Sequence, residues 1–147
     1  MSIEDLIGSS LSSYDSYFAI KNVKSSKLLV QKYNGKDVGF AELKKYRDIG
    51  IIFYIGILPE YRGRGFGKDI IKKAEDIFRK KNVKIIVAST RSSNIPAIRL
   101  FKSLDYTIFN KKYVKSKIVE LLDAYEDDLI VCKELDVLVE CGKLIFK

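Results

Sequence analysis

The first third of the chain has a hydrophobic pattern that predicts two helices followed by a β-hairpin. Ser2 is a good cap for a first helix, because its hydroxyl can accept a backbone N–H. The apolar residues that then share one helix face are Ile3, Leu6, Ile7 and Leu11. A second short helix is predicted over residues 13–20, and strands over residues 27–33 and 37–46. The Asn34-Gly35 pair between the strands is a strong signal for a hairpin turn.

The middle third predicts a strand, a glycine-rich turn and a long amphipathic helix. The hydrophobic run over residues 49–58 is typical of a buried strand. The helix is predicted over residues 65–82, since apolar side chains recur there at helical spacing. The side chains expected in the core are Phe66, Ile70, Ala74, Ile77 and Phe78.

The last third predicts shorter elements. A strand over residues 84–89 precedes a helix that begins near Asn94, and another strand follows Asp105 and runs to about Tyr113. Helical spacing is present over residues 115–125, and strands are predicted over residues 129–133 and 137–146, the last extending the sheet. Because 147 residues suffice for one hydrophobic core, we expect a single domain over residues 1–147.

The segment Arg62-Gly63-Arg64-Gly65-Phe66-Gly67 lies between the strand and the long helix and carries the clearest chemical signal. The first N–H groups of a helix have no partner within it, and the helix dipole favours negative charge there. The spacing excludes a P-loop, which needs Gly at 62, and a dinucleotide fingerprint, which needs Gly at 68 or 70. We therefore expect this loop to bind a phosphorylated cofactor. The alternative is a glycine-rich surface turn with solvated arginines.

The composition excludes several kinds of chemistry. The chain has no histidine, which rules out Ser-His-Asp and Cys-His catalysis within it and removes the commonest metal ligand. We expect no metal. Its two cysteines, Cys132 and Cys141, are expected to be small apolar residues on C-terminal strands. No apolar run is long enough for a membrane span and the first residues lack a basic signal-peptide start, so we expect a cytoplasmic protein.

The net charge of +8 suggests an anionic partner. A phosphorylated cofactor is itself a polyanion and accounts for part of this charge, while clusters of lysine and arginine are most often solvated faces. Nucleic acid is therefore not the expected partner.

Two further segments, together with the loop, resemble one family. The Arg-x-x-Gly-x-Gly pattern of residues 62–67 resembles the pyrophosphate loop of the GNAT superfamily of N-acetyltransferases. Residues 93–106 are similar to the family's Asn-x-x-Ala-x-x-Leu-Tyr-x-x-x-Gly-Phe segment. Glu126-Asp127-Asp128 resembles the Glu-Asp-Ala that opens the seventh strand in the ribosomal-protein and N-terminal acetyltransferase branch. The resemblance implies an α/β (α+β) fold, with a mixed, mostly antiparallel sheet flanked by helices and a V-shaped splay between its fourth and fifth strands.

The resemblance also implies where acetyl-CoA binds. The backbone of Ile55, Gly56 and Ile57 would bind the pantetheine, with the Ile57 N–H polarising the thioester carbonyl. The N–H groups that would hold the pyrophosphate belong to Arg62, Gly63, Arg64, Gly65, Phe66, Gly67 and Lys68. The side chains of Arg62 and Arg64 would add charge-assisted bonds. Asn94 would bond the pantetheine arm, with Ala97 and Phe101 packed against it.

The usual proton-transfer residues of the family are absent from this chain. Phe101 stands where the family has its tyrosine acid, and Ile51 and Ser89 stand where the family has a catalytic glutamate. The replacement candidates, in falling order, are Tyr113, Glu42, Tyr54 and Ser89. The alternative interpretations are a packed or rim tyrosine for Tyr113 and a solvated strand residue for Glu42.

A site without a strong base suits an acceptor that is already partly deprotonated. A backbone α-amine, with a pKa of about 7.7–8.0, is roughly one-tenth neutral at pH 7, whereas a lysine amine with a pKa of about 10.4 is neutral only ~0.04% of the time. We therefore predict direct acetyl transfer from acetyl-CoA to an amine, foremost a protein N-terminal α-amine. The alternatives are a lysine or small-amine acetyltransferase, an inactive acetyl-CoA-binding module, and a basic nucleic-acid-associated protein.

Overall fold

The computed structural model describes all 147 residues and contains a six-stranded sheet in the order β1-β2-β3-β4-β6-β5. The strands are β1 (Lys27–Tyr33), β2 (Lys36–Tyr46), β3 (Ile49–Ile57), β4 (Ile85–Thr90), β5 (Thr107–Asn110) and β6 (Leu129–Glu134). The helices are α1 (Ile3–Ser10), α2 (Ser13–Asn22), α3 (Phe66–Lys80), α4 (Ile95–Ser103), α5 (Ser116–Leu122) and α6 (Cys141–Ile145). The β3–β4 ladder is parallel, whereas the β1–β2, β4–β6 and β5–β6 ladders are antiparallel. The mixed, mostly antiparallel sheet flanked by helices confirms the predicted fold class.

The contacts divide the chain into two compact units. The first comprises residues 1–44 and 52–76, and the second comprises residues 45–51 and 77–147. The expectation of a single domain stays a prediction. None of the helices combines the length and the apolar character that crossing a bilayer requires.

In the first unit, the two N-terminal helices form where the sequence predicts them. Ser2 and Asp5 make a reciprocal capping box at the start of α1. The apolar side of α1 packs in a cluster with residues of α2 and β2 and with Leu58, and the buried members are Leu6, Ile7, Ala19, Phe40 and Leu58. The β1–β2 hairpin turns at Asn34 and Gly35, which both have positive φ.

Two neighbouring side chains of strand β3 make contacts within the first unit. The Lys44 Nζ atom lies 4.7 Å from the centroid of the Phe53 ring, and Tyr54 packs against the cluster that contains Phe40.

In the second unit, β4 is the central strand. Its first residues, Ile85–Val87, pair with Ile49–Ile51 of β3, and its whole length pairs with β6. The parallel ladder consists of the pairs Ile49–Ile85, Gly50–Ile86 and Ile51–Val87, and the predicted splay between the two strands stays a prediction. Strand β5 completes this edge by pairing with β6.

Two predictions for the C-terminal part are wrong. The predicted strand over residues 137–146 is instead a loop followed by helix α6, and Val137 and Leu138 are 99% and 89% exposed. The cysteines are not both on strands as single apolar residues, because Cys132 of β6 and Cys141 of α6 form a disulfide. Glu134 Oε2 also accepts the Cys141 N–H at 2.8 Å. The disulfide and this hydrogen bond tie the segment after β6 back to that strand. The alternating apolar residues of this segment therefore do not form a further strand.

Helix α5 agrees with the helical spacing predicted over residues 115–125. The strand predicted to reach Tyr113, however, ends at Asn110, because residues 111–113 form a 3-10 turn. Asn110 begins this turn with its side-chain oxygen accepting the Lys112 N–H at 3.0 Å.

Candidate active site

The predicted site residues are distributed over both units, with residues 42 and 54–68 in the first and residues 89–113 in the second. In the first unit, the loop between β3 and α3 has the backbone conformation that its sequence predicts. Gly63 and Gly65 have φ of 76° and 87°, a region that favours glycine. A Cβ atom at either position would meet no atom within 4 Å, so the space above both glycines is open.

The start of helix α3 offers backbone donors to this open space. The N–H of Asp69 donates to the Gly65 carbonyl at 3.1 Å and begins the helical bonding pattern. The N–H groups of Phe66, Gly67 and Lys68 precede it and have no partner within the helix. The side chains of Arg64 and Lys68 are exposed beside them. This arrangement provides both the donors and the positive charge that an anion requires.

Three aromatic rings pack against one another where the loop joins helix α3. Phe66 is buried, and its ring centroid lies 5.2 Å from that of Tyr33 and 6.2 Å from that of Tyr61. The Arg64 guanidinium lies 5.1 Å from the centroid of the Tyr61 ring, at the distance of a cation–π contact. Aromatic packing of this kind fixes where the loop begins and where the helix starts.

The Arg62 side chain makes two hydrogen bonds within the first unit, and its predicted contact with the pyrophosphate stays a prediction. Its Nε donates to the Ile57 carbonyl at 3.0 Å and its Nη2 donates to the Ser10 carbonyl at 2.8 Å. Its own N–H donates to the Pro59 carbonyl at 3.3 Å. These bonds join the end of α1 to the end of β3 through Arg62, which is exposed, as are Arg64 and Lys68.

The end of strand β3 is tightly packed at Gly56. A Cβ atom there would lie 2.5 Å from Phe40 Cε1 and 2.7 Å from Ser10 Cβ, so only glycine fits without a shift. The strand ends when the Leu58 N–H donates to the Val38 carbonyl at 2.9 Å. The predicted binding of pantetheine by the backbone of residues 55–57, and the donor role of the Ile57 N–H, stay predictions.

Glu42 is fully buried, so its interpretation as a solvated strand residue is wrong. Its Oε1 accepts a hydrogen bond from Asn22 Nδ2 at 2.8 Å, but its buried Oε2 has no hydrogen-bond partner. Burial raises the pKa of Glu42 from 4.5 to about 7, against the opposing effects of the Asn22 hydrogen bond and the Lys44 charge. The sequence showed a carboxylate in an apolar strand but not which strand face the helices would cover.

In the second unit, helix α4 begins with the predicted asparagine. The Asn94 side-chain oxygen accepts the Ala97 N–H at 3.2 Å and caps the helix, and its amide group remains able to donate. Phe101 is buried and its ring lies edge-on to Tyr106, with 5.1 Å between centroids. Phe101 is therefore a core residue, and it has no hydroxyl that could give a proton.

Ser89 has a carboxylate partner that the sequence analysis missed. Its hydroxyl donates to Asp127 Oδ2 at 2.6 Å, and Arg91 Nε lies 3.5 Å from Asp127 Oδ1. Asp127 lies two residues before β6, just beyond the pairing of Thr90 with Leu129. The sequence alone does not show this partner, because placing Asp127 beside the end of β4 requires the antiparallel pairing of β6 with β4.

The neighbouring carboxylate of Asp128 fixes the loop that follows β4. Hydrogen bonds from Ser92, through its hydroxyl and then its backbone N–H, lower the pKa of the exposed Asp128 carboxyl. The Ser92 N–H distance to Asp128 Oδ1 is 2.7 Å. The chain between Ser89 and Asn94 is thereby held against the start of β6.

Tyr113, the first candidate for the acid, is 58% exposed. Its ring lies 5.1 Å from Lys112 Nζ, and its carbonyl accepts the Lys147 N–H at 3.1 Å. A packed role for this tyrosine is excluded by its exposure, whereas a position at a rim agrees with it. Its part in proton transfer stays a prediction.

The sequence and the geometry agree with one known family. The model of the acetyltransferase (GNAT) family matches residues 5–106, which is more than half of the chain and includes the glycine-rich loop and helix α4. The chain belongs to the GNAT acetyltransferase family. This membership confirms the resemblance drawn from the loop and from the segment that begins at Asn94.

Two relatives and one solved structure extend this result. The ribosomal protein bS18-alanine N-acetyltransferase of Escherichia coli K12 is 30% identical over 98 residues, which are 67% of this chain and 64% of that protein. The L-methionine sulfoximine/L-methionine sulfone acetyltransferase of Salmonella typhimurium is 28% identical over 86 residues, or 55% of this chain and 50% of that protein. The matched segments thus span less than two thirds of either relative. A Bacillus subtilis acetyltransferase in complex with CoA has the same fold, with a TM-score of 0.68 at 16% identity, covering 84% of this chain and 86% of that one.

Proposed function

We propose that this GNAT protein transfers an acetyl group from acetyl-CoA directly to an amine, foremost to the α-amine of a protein N-terminus. The observation that carries the proposal is the loop between β3 and α3. Two positive-φ glycines, the helix N–H groups of Phe66, Gly67 and Lys68, and the exposed Arg64 together suit a pyrophosphate. The solved relative that holds CoA supports the same ligand.

The residues present fit acetyl-CoA through main-chain donors. The open space above Gly63 and Gly65 leaves room for phosphate oxygens, and Arg64 and Lys68 neutralise their charge. The Asn94 amide, whose oxygen is already occupied by the helix cap, has N–H donors for the pantetheine arm. When bound, acetyl-CoA supplies the activated acetyl thioester; no metal is part of the proposal.

The chain contributes position and polarity to the transfer. The Ile57 N–H is the proposed donor to the thioester oxygen, where negative charge grows as the amine attacks. Arg62 supports this position, since it holds the carbonyl of Ile57 and the end of α1 in one place. Tyr113, whose side chain is not buried, is the proposed acid for the leaving thiolate.

An α-amine acceptor is supported by two independent arguments. Roughly one-tenth of an α-amine is neutral at pH 7, against ~0.04% of a lysine amine, so transfer to the α-amine needs less help from a base. The E. coli relative is named for an alanine of ribosomal protein bS18. For the present chain we propose that the acceptor is the N-terminus of a ribosomal or other protein and that the transfer takes place in the cytoplasm.

A small-molecule amine is the second candidate acceptor, because the Salmonella relative is named for L-methionine sulfoximine and L-methionine sulfone. A module that binds acetyl-CoA without turnover is the third candidate, and the replacement of the family's tyrosine by Phe101 favours it. The three differ in their products, so one labelling experiment separates them.

The cofactor site is tested by the double substitution Arg64→Glu with Gly65→Asp. We expect acetyl-CoA binding, measured by isothermal titration calorimetry, to be lost, since two carboxylates replace a cation and an open glycine. The matched control is Arg47→Glu with Gly35→Asp. Arg47 also lies over a tyrosine ring, at 5.3 Å from Tyr46, and Gly35 also has positive φ with open space around it. Unchanged affinity in the first variant would refute the loop assignment.

The acceptor is tested by supplying acetyl-CoA with an isotope-labelled acetyl group to the protein in a cell extract. Mass spectrometry then locates the label. Label on protein α-amines supports the proposal, whereas label confined to lysines or to metabolites contradicts the acceptor but keeps the transfer. A protein that binds acetyl-CoA and labels nothing is the binding module.

A further inference from the structure

We propose that Asp127, reached through the hydroxyl of Ser89, accepts the proton that the acceptor amine loses during transfer. The inference rests on the proposed function and names the base that the family's usual positions do not supply. A serine stands where the family has a glutamate, and the carboxylate that this serine contacts, Asp127, lies two residues before β6.

The contact between the two side chains is short and directional. Ser89 Oγ lies 2.6 Å from Asp127 Oδ2, a distance typical of a hydroxyl that donates to an ionised carboxylate. Because the hydroxyl hydrogen is used in this hydrogen bond, the lone pairs of the Ser89 oxygen remain available to accept a proton from a third group. A proton that reaches Ser89 Oγ can therefore be passed on as the serine gives its own proton to Asp127.

The Asp127 carboxylate is partly exposed and lies beside an arginine. The Asp127 side chain is 25% exposed, so it is neither solvated freely nor sealed in the core. The charged groups next to it are Arg91, whose Nε lies 3.5 Å from Oδ1, and the adjoining carboxylates of Glu126 and Asp128.

Ser89 lies near the end of β4, and the chain continues from there to Asn94, which is proposed to bind the pantetheine arm. Ser89 is the penultimate residue of β4, and the next turn runs through Arg91 and Ser92 to Asn94, the cap of α4. Asp128 fixes this turn through Ser92. Ser89 therefore lies on a paired strand, and Asp127 lies two residues before the strand that pairs with it.

The proton and electron balance is complete. The neutral amine nitrogen uses its lone pair to form the C–N bond with the acetyl carbon, and the C–S bond breaks with its electron pair going to sulfur. The nitrogen, now positive, loses a proton to Ser89 Oγ while the serine passes its own proton to Asp127 Oδ2. The electron pair of the N–H bond stays on nitrogen, and the thiolate is protonated by the acid or by water. A weak base suffices, because the nitrogen gives up its proton after it has become positive.

The test compares three variants in steady-state acetylation of a peptide α-amine, with the exposed carboxylate Glu126 as the matched control. We expect Asp127→Asn and Ser89→Ala each to lower kcat by about a hundredfold or more, the range of general base catalysis. The affinity for acetyl-CoA, measured by calorimetry, should not change. Glu126→Gln removes the same charge from the neighbouring residue and should keep kcat within about twofold of the wild type.

A rescue variant separates catalysis from structure. Ser89→Glu combined with Asp127→Asn places a carboxylate directly on β4, and we expect it to recover at least about tenfold of the lost kcat. Added formate should also accelerate Asp127→Ala, because a small carboxylate can enter the space of the missing side chain. Recovery by both means supports a proton acceptor; a role in folding alone would give recovery by neither and would overturn the proposal.

The outcomes distinguish this inference from the proposed function. A wild-type protein that acetylates an amine, together with an Asp127→Asn variant of equal kcat, overturns the role of Asp127 and leaves the function standing. A full loss in Asp127→Asn with normal kcat in Ser89→Ala overturns the serine path. A wild-type protein that binds acetyl-CoA but acetylates no amine overturns both.

Discussion

Replacing Glu42 with glutamine should change how the stability of this protein depends on pH. Glu42 is fully buried on β2, with one oxygen bonded to Asn22 and the other without a partner. Glutamine has nearly the same shape and keeps the oxygen that accepts from Asn22, but it does not ionise. The substitution therefore isolates the effect of the charge.

The magnitude follows from the displaced pKa of Glu42. Burial raises the pKa from 4.5 to about 7, so the folded state holds a proton that the unfolded state has released between these values. The contribution of Glu42 to the free energy of unfolding is then greatest below pH 4.5 and falls as pH rises to about 7. A shift of about 2.5 pH units, at ~1.4 kcal/mol per unit, makes this fall on the order of 3 kcal/mol.

The assay is urea unfolding of the wild type and Glu42→Gln at pH 5 and pH 8. We expect the wild type to lose roughly 2–3 kcal/mol relative to the variant between these two values, because part of the fall lies below pH 5. Carboxyls whose pKa shifts the other way, such as Asp128, are present in both proteins and cancel in the comparison. The control Glu60→Gln removes an exposed carboxylate and should show no such difference.

Two results would refute the reasoning. A difference between wild type and Glu42→Gln that stays the same at both pH values would mean that the folded state does not perturb Glu42. A wild type that gains stability with rising pH relative to the variant would mean that Asn22 and Lys44 outweigh burial.

Two further predictions concern packing and covalent linkage. Gly56→Ala should lower the free energy of unfolding, measured in urea, by about 1–3 kcal/mol, because its Cβ would overlap Phe40 and Ser10. The control Gly8→Ala, whose Cβ would have nothing within 4 Å, should stabilise helix α1 by up to ~1 kcal/mol. Equal effects of the two substitutions would contradict the close packing at Gly56. Reduction of the Cys132–Cys141 disulfide, which closes a short loop with a sequence separation of 9, should lower the melting temperature and cost roughly 2–3 kcal/mol, and the double alanine variant should not respond to reductant; an oxidised protein that melts unchanged after reduction would contradict the linkage.

Local signals predicted most of the fold. The Ser2 cap, the Asn34-Gly35 turn and the glycine-rich loop each depend on neighbouring residues, and the structure has all three near the predicted positions. Helix α3 likewise follows from apolar spacing within a single segment. Each of these features is determined by residues close together in the chain, so a single sequence is enough to predict them.

Features that depend on distant residues were not predictable in the same way. The pairing of Cys132 with Cys141 changes a strand pattern into a helix, and the sequence shows the two cysteines but not their contact. The burial of Glu42 depends on which face of β2 the N-terminal helices cover. The partner of Ser89 is 38 residues away, and the identity of Asp127 as that partner required the β4–β6 register.

The guanidinium of Arg62 has a consequence for motion as well as for geometry. Because it bonds to the last residue of α1 and the last residue of β3, the first helix cannot detach without releasing the end of the strand beside the phosphate loop. The helix and the loop should therefore open as one cooperative unit. Amide hydrogen exchange would show this as a common protection for both, and an anion bound at the loop would slow exchange in a helix that it never touches.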